Sequence, residues 1–272
     1  MATKRERQRE LARQAYERRV ERQVQRARRT RQAWVASIAV VLVTGVGFAS
    51  AALAGVWTSP AKKPVASSSP APSASAGPTS AMVNGKCVYT AGGTAARQVS
   101  LPPAAPDTKA TYTATITTNR GNIVISLLNG KAPCTVNSFV SLADQKFFNN
   151  TPCHRLTTAQ AGIYVLQCGD PTGAGSGGPG YQFYTENLKG ATYPAGTLAM
   201  ANSGSPDSNG SQFFLVYKDT PLPANYTPFG TITSGLSVLQ AVANAGTDNS
   251  NGAGDGHPKE SVQIESMTIS KT

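Results

Sequence analysis

The residue types that usually perform acid–base or nucleophilic work are scarce in this chain of 272 residues, which has two histidines and four cysteines. His154 lies between Cys153 and Arg155, whereas His257 sits in a Gly/Asp/Asn-rich run, NSNGAGDGHPK. No serine has the Gly-x-Ser-x-Gly setting of a hydrolase nucleophile, and no Gly-x-x-x-x-Gly-Lys-Ser/Thr phosphate loop occurs. Gly173 to Gly178 matches G-x-G-x-x-G, but the PGYQFYTEN that follows does not read as a helix, which a dinucleotide site needs in order to meet the pyrophosphate. A zinc site from Cys134, Cys153, His154 and Cys168 is disfavoured, because the cysteines lack C-x-x-C spacing. What remains is a series of polar and aromatic blocks: Cys153-His154-Arg155, then Tyr164 to Asp170 (YVLQCGD), Met200-Ala201-Asn202, Asn209 to Phe214 (NGSQFF), and Pro228-Phe229-Gly230.

These blocks resemble, in order and nearly in spacing, the cyclophilin signatures F-H-R, Q-G-G-D, G-T-G-G, M-A-N, N-G-S-Q-F-F and V-F-G, across residues 111–270. The resemblance implies a mainly β fold, a closed eight-stranded antiparallel barrel capped by two helices, with the site on an outer face. It also implies peptidyl-prolyl cis-trans isomerase activity. By matched position Arg155 corresponds to the catalytic arginine, and Gln167 is placed to buttress it. Tyr164, Val165, Ala201, Asn202, Gln212, Phe214 and Leu222 fall on substrate-contacting positions, and His154 is read as structural. The chain also departs from the family. Tyr226 occupies a position that is often His, though its ring and hydroxyl can still cap a pocket. Pro221 stands where many members have Trp, which bears on cyclosporin binding more than on catalysis. Cys168 replaces the first Gly of Q-G-G-D, and residues 157–162 (TTAQAG) lengthen the loop between Arg155 and Tyr164.

The chemistry can be stated without the family. The barrier to rotating an amide, ~18–20 kcal/mol, comes from resonance of the nitrogen lone pair. A guanidinium that donates a hydrogen bond toward the prolyl nitrogen as it pyramidalises stabilises the twisted state more than either planar one. Apolar walls, here Phe214, Tyr164, Val165 and Leu222, would hold the ring while the rest of the peptide turns. No cofactor and no metal is expected. Two rivals remain: a binding module of the same fold that grips proline segments without turnover, and an envelope scaffold in which the tail and anchor are the functional parts.

The elements that must position these residues follow from periodicity. Thr111 to Leu128 alternates apolar and polar residues on both sides of Asn119-Arg120-Gly121-Asn122, the pattern of a β-hairpin. Residues 132–146 predict a short helix with Val136, Phe139, Val140 and Leu142 toward one face and Pro133 in its first turn. Ser261 to Ser270 alternates again and predicts a closing strand.

Five segments are expected: a basic cytoplasmic tail (1–33), a transmembrane signal-anchor helix (34–57), a Pro/Ser/Ala-rich linker (58–82), an N-terminal extension (83–110) and the domain proper (111–272). Residues 1–31 carry twelve Lys and Arg against four Glu, so most of the formal net charge of +11 is in the tail and no nucleic-acid partner is expected. Residues 34–57 contain no charge and have tryptophan at both ends, enough for a ~30 Å hydrocarbon core at ~1.5 Å per residue. The basic flank keeps the N-terminus cytoplasmic and sends the rest across the membrane. A cleaved signal peptide is the alternative, since Ala49-Ser50-Ala51 and Ala52-Leu53-Ala54 both fit an A-x-A site; the topology is the same. The linker has too little apolar surface to offset the entropy of ordering. The implied partners are proline-containing polypeptide clients and the membrane, with a monomeric catalytic domain.

All four cysteines, Cys87, Cys134, Cys153 and Cys168, follow the apolar segment and would meet an oxidising compartment. Their spacing leaves three pairings open. On the cyclophilin map, with Cys134 at the start of the capping helix and Cys153 just before the catalytic strand, the expected bridges are Cys134–Cys153 and Cys87–Cys168.

Overall fold

A computed structural model of the chain describes residues 80–272. The expected tail (1–33), the expected anchor (34–57) and most of the expected linker (58–82) lie outside the described residues. Among the described residues no helix is long and apolar enough to cross a membrane.

The described chain opens with a small hairpin, β1 (Met82–Val83) and β2 (Lys86–Cys87), joined by Asn84-Gly85. Both loop residues have positive φ, 50° and 71°, which Asn and Gly tolerate and which matches the twist of the paired strands. Next, β3 (Thr90–Ala91) pairs with Tyr181–Gln182. The Tyr89 ring lies edge-on to Tyr181 and Phe183, and its hydroxyl donates to the Cys134 carbonyl at 2.9 Å. Arg97 donates to the carbonyls of Phe147 and Asn149 at 3.1 and 2.6 Å. The extension is therefore a packed part of the domain.

Alternation builds the first long hairpin. β4 (Tyr112–Thr118) and β5 (Gly121–Leu127) bury every second residue, among them Ala114, Ile116, Ile123 and Ile125, and Thr118 pairs with Gly121 to close a two-residue turn at Asn119-Arg120. Helix α1 (Pro133–Asp144) starts on a proline and buries Val136, Phe139 and Leu142. Its first N–H groups have no local side-chain cap. The Glu186 carboxylate reaches them instead, accepting from the N–H groups of Cys134 and Thr135 at 3.2 and 2.7 Å and from the Thr135 hydroxyl at 2.7 Å.

The remaining elements are β6 (Thr151–Pro152), β7 (Arg155–Thr157), a 3-10 turn (Ala159–Ala161), β8 (Val165–Cys168), β9 (Tyr181–Gln182), β10 (Thr197–Met200), β11 (Phe213–Val216), β12 (Pro228–Ser234), α2 (Leu236–Ala245), β13 (Asp255–Gly256) and β14 (Gln263–Lys271). Eight of these strands and the β4–β5 hairpin form one antiparallel ten-stranded sheet in the order β13-β7-β8-β11-β10-β12-β5-β4-β14-β6. The fold is mainly β with two helices. Residues from the inner face of the curled sheet join Phe139 and Leu142 of α1 and Leu239 and Val242 of α2 in one apolar core. The expected closed ladder of eight strands is corrected: the hydrogen-bonded order has ten strands and two ends, at β13 and β6. The cause is the two-residue strands β6 and β13. β6 pairs with β14 and β7 with β8, so the short run from Thr151 to Thr157 serves opposite parts of the sheet.

The disulfide pairing is also corrected. Cys87 is bridged to Cys134 and Cys153 to Cys168. The antiparallel register of β7 and β8 sets Arg155 opposite Gln167, which carries the flanking Cys153 and Cys168 to one another. Cys87 follows the β1–β2 turn and meets the first turn of α1. With Cys134, Cys153 and Cys168 all bridged, these sulfurs are not thiolate ligands for zinc.

Candidate active site

Four neighbouring strands lay a row of side chains across one face of the sheet. Arg155 on β7 pairs with Gln167 on β8, Gln167 with Phe214 on β11, and Phe214 with Ala199 on β10. Strand alternation turns the residues next to them, Leu156, Leu166, Leu215 and Leu198, into the core. The row therefore lies on the outer face.

Its polar half is a directed chain of hydrogen bonds. Asp255 on β13 accepts from Arg155 Nε at 2.8 Å and from Nη2 at 2.7 Å, a two-pronged ion pair. Arg155 Nη1 donates to Gln167 Oε1 at 3.3 Å, Gln167 Nε2 to Gln212 Oε1 at 2.8 Å, and Gln212 Nε2 to the Gly177 carbonyl at 3.0 Å. Each amide thus accepts on one side and donates on the other. Gly177 N–H in turn donates to Asp170 at 2.9 Å, and the Thr172 N–H and hydroxyl donate to the same carboxylate at 2.8 Å. A Cβ on Gly177 would collide with Asp170 Oδ1, so the turn needs glycine there. The glycine loop is a fold around one carboxylate, with no helix after it.

Burial pushes the Asp170 carboxyl up, but the donors from Gly177 and Thr172 outweigh burial and leave it below the usual carboxylate range. A depressed folded value means that the contribution of Asp170 is present above about pH 4 and is lost as pH falls through the folded value. Amide exchange at Gly177, taken relative to an unstructured amide at the same pH, should therefore stay slow down to about pH 4 and accelerate only below it. In Asp170→Asn it should be fast already at pH 7; unchanged protection in that variant would remove Asp170 as the organiser of the loop.

The apolar half is a cluster of its own. Val165, Ala199, Phe214, Val216 and Tyr193 are buried together, with Ala201, Leu222 and Tyr226 partly exposed against them. The Tyr226 ring stands edge-on to Phe214 with centroids 5.5 Å apart, and its carbonyl accepts from the Tyr193 hydroxyl at 2.7 Å. Of the residues carried over from the sequence, the structure brings Val165, Ala201, Phe214, Leu222 and Tyr226 into this cluster and Arg155, Gln167 and Gln212 into the polar chain. Asn202 lies at the edge, donating to the Asn225 carbonyl at 2.8 Å and accepting from Gly204 N–H at 3.0 Å. Tyr164 joins the main core instead, edge-on to Tyr217, with Lys218 Nζ 4.8 Å from its ring centre. His154 is buried, and neither ring nitrogen has a hydrogen-bond partner among the described residues. Burial lowers its pKa against the opposing pull of Asp170, which favours a neutral imidazole.

Three residues escaped the sequence reading: Asp255, Asp170 as loop organiser, and Tyr193. Asp255 sits 100 residues from Arg155 in a polar loop with no periodicity. Only the pairing of β13 with β7, with Asp255 opposite Thr157, reveals it.

The fold and its outer-face site define the class: the chain belongs to the cyclophilin-type peptidyl-prolyl cis-trans isomerase family, whose family model, "Cyclophilin type peptidyl-prolyl cis-trans isomerase/CLD", matches residues 113–269. A probable peptidyl-prolyl cis-trans isomerase B of Mycobacterium leprae is 49% identical over 199 residues, covering 67% of this chain and 66% of that protein. The corresponding Mycobacterium tuberculosis protein is 48% identical over 190 residues, covering 64% and 60%. The chain thus spans somewhat less than two thirds of each of these relatives. A crystal structure of a Cryptosporidium parvum cyclophilin type peptidyl-prolyl cis-trans isomerase is 30% identical, with a TM-score of 0.53 over 60% of this chain and 99% of that one. A second structure, determined in the presence of the dipeptide Ala-Pro, gives a TM-score of 0.52 at 31% identity over 59% of this chain and 99% of that one.

Proposed function

We propose that the protein catalyses cis-trans exchange at X-Pro bonds of exported or surface polypeptides, assisting their folding, as a monomeric domain held at the outer face of a membrane by residues 34–57. One observation carries the enzymatic part: a guanidinium fixed on two sides, by Asp255 and Gln167, on the same sheet face as an apolar cluster of Val165, Phe214, Leu222 and Tyr226. The cluster suits a prolyl ring, and Arg155 is the donor toward the prolyl nitrogen as the amide twists. The reaction is a rotation, so no nucleophile and no proton transfer is required. The Cryptosporidium parvum relative, determined in the presence of Ala-Pro, supports proline-containing peptides as the ligand class.

The location outside the cytoplasm draws support from two bridges with no free cysteine among the described residues, and from the basic tail preceding the apolar run. The test is direct. Full-length chain in detergent micelles is mixed with a short X-Pro peptide, and the rate of cis-to-trans relaxation is compared with the uncatalysed one. Catalysed exchange is the expected result; binding without acceleration would leave a proline-peptide binding module in its place.

A further inference from the structure

Asp255 is brought to the site by a construction separate from the strands that carry Gln167 and Phe214. The lengthened segment after Arg155 forms the 3-10 turn Ala159–Ala161, and the polar loop 246–258 docks against it. Thr158 N–H donates to the Gly254 carbonyl at 2.8 Å, and Gly254 N–H donates to Asn249 Oδ1 at 2.8 Å. At Gly254, with φ +73°, a Cβ would come within 2.7 Å of Ala161 N, so only glycine allows this approach. The loop then adds β13 to the edge of β7, pairing Asp255 with Thr157 and Gly256 with Leu156. In an antiparallel pair the residue opposite Thr157 is the diagonal neighbour of Arg155 on the same face. The carboxylate is further oriented by Asn251 Nδ2, which donates to Oδ1 at 3.3 Å. Its side chain is 10% exposed and that of Arg155 32%, so the anchoring partner is the more buried of the two.

We propose that Asp255 is the positioning residue for Arg155, holding the Nε–Nη2 edge of the guanidinium so that the plane of the donor is set before substrate arrives. The proposal rests on the isomerase reading and adds the device that orients its central residue. An arginine side chain has many rotamers, and a two-pronged carboxylate selects one of them. Gln167 meets the guanidinium at Nη1 through a longer contact, 3.3 Å, than either prong of the Asp255 pair. A donor misplaced by about 1 Å can cost on the order of a hundredfold in rate.

The experiment uses the full-length chain and a short Ala-Pro-containing peptide, with kcat and KM measured for wild type, Asp255→Asn, Arg155→Ala and the double variant. Asp255→Asn should lower kcat by about ten- to a hundredfold with KM changed less than about twofold, because the ground-state pocket is untouched. In the Arg155→Ala background the same substitution should change the rate by less than about twofold, since the group it positions is gone. Asp255→Asn kinetics within about twofold of wild type, a rate increase, or an equal loss in the Arg155→Ala background would each overturn the proposal. A wild-type measurement guards against a variant that does not fold: the Arg155 Nε–H should exchange with solvent far more slowly than that of free arginine, and equal exchange would overturn the ion pair. If Arg155→Ala itself keeps the wild-type rate, the isomerase site is wrong and the proposal falls with it. If Arg155→Ala loses activity while Asp255→Asn does not, only the proposal falls.

Discussion

Replacing Arg155 with alanine should lower kcat/KM for a short X-Pro peptide by about a hundred- to a thousandfold, the range seen when one preorganised transition-state donor is removed. The loss should fall on kcat. The planar cis and trans amides make no demand on a donor at nitrogen, so the interaction is gained only as the amide twists, and deleting it should leave intact the apolar cluster of Val165, Phe214, Leu222 and Tyr226 proposed to hold the prolyl ring in the ground state. Arg155→Lys should recover little of the rate, because an ammonium cannot reproduce the flat fork that engages Asp255 through Nε and Nη2 while Nη1 meets Gln167. Removal of the guanidinium also strips Asp255 of its charged partner. With Arg155 about a third exposed, solvent screening discounts that cost, and a loss of no more than about 3 kcal/mol is expected. Rates are therefore to be read well below the melting temperature of each variant. A kcat within about tenfold of wild type would move the catalytic role away from Arg155.

The parts of the molecule that were legible in the sequence are those where one local rule dominates. Alternation in YTATITT and GNIVISL gave the β4–β5 hairpin, Pro133 with Val136, Phe139 and Leu142 gave α1, and the alternating end gave β14. The hairpin of the extension carried an Asn84-Gly85 signal of the same quality, but its strands are two residues each, too short to show a period. Long-range register was not legible. Cys153 meets Cys168 only because Arg155 pairs with Gln167, and no spacing rule contains that fact. Asp255 reaches Arg155 for the same kind of reason, through a two-residue strand at the end of a polar loop. Tyr164 and Val165 illustrate a finer point. Adjacent residues at the start of a strand face opposite sides, so the register that aligns Val165 with Val216 and Phe214 with Gln167 on the outer face turns Tyr164 toward Tyr217.

Removing the Cys153–Cys168 bridge, by Cys153→Ser with Cys168→Ser, should cost about 3 kcal/mol of stability in a chain-entropy estimate for a closed loop of that size, and lower the melting temperature by roughly 6–12 °C for a domain of this length. The bridge closes a separation of 15 residues and Cys87–Cys134 one of 47, so loop entropy alone would rank the second bridge higher, at about 4 kcal/mol. The fold argues for the reverse order. Cys153 and Cys168 tie the lead-in of β7 to the end of β8, within the run that bears Arg155 and Gln167, and those strands cannot separate without opening the core around Leu156 and Leu166. Cys87 tethers an extension whose strands β1 and β2 pair only with one another, so its release can be absorbed by local fraying while the ten-stranded sheet stays intact. Thermal melts of the two double-serine variants separate these accounts. A larger loss for Cys153/Cys168, with rapid proteolysis confined to the extension in the Cys87/Cys134 variant, is the expected result. The opposite ranking would mean that the extension unfolds with the sheet as one cooperative unit, held there by Tyr89 against Tyr181 and Phe183 and by Arg97 on the carbonyls of Phe147 and Asn149.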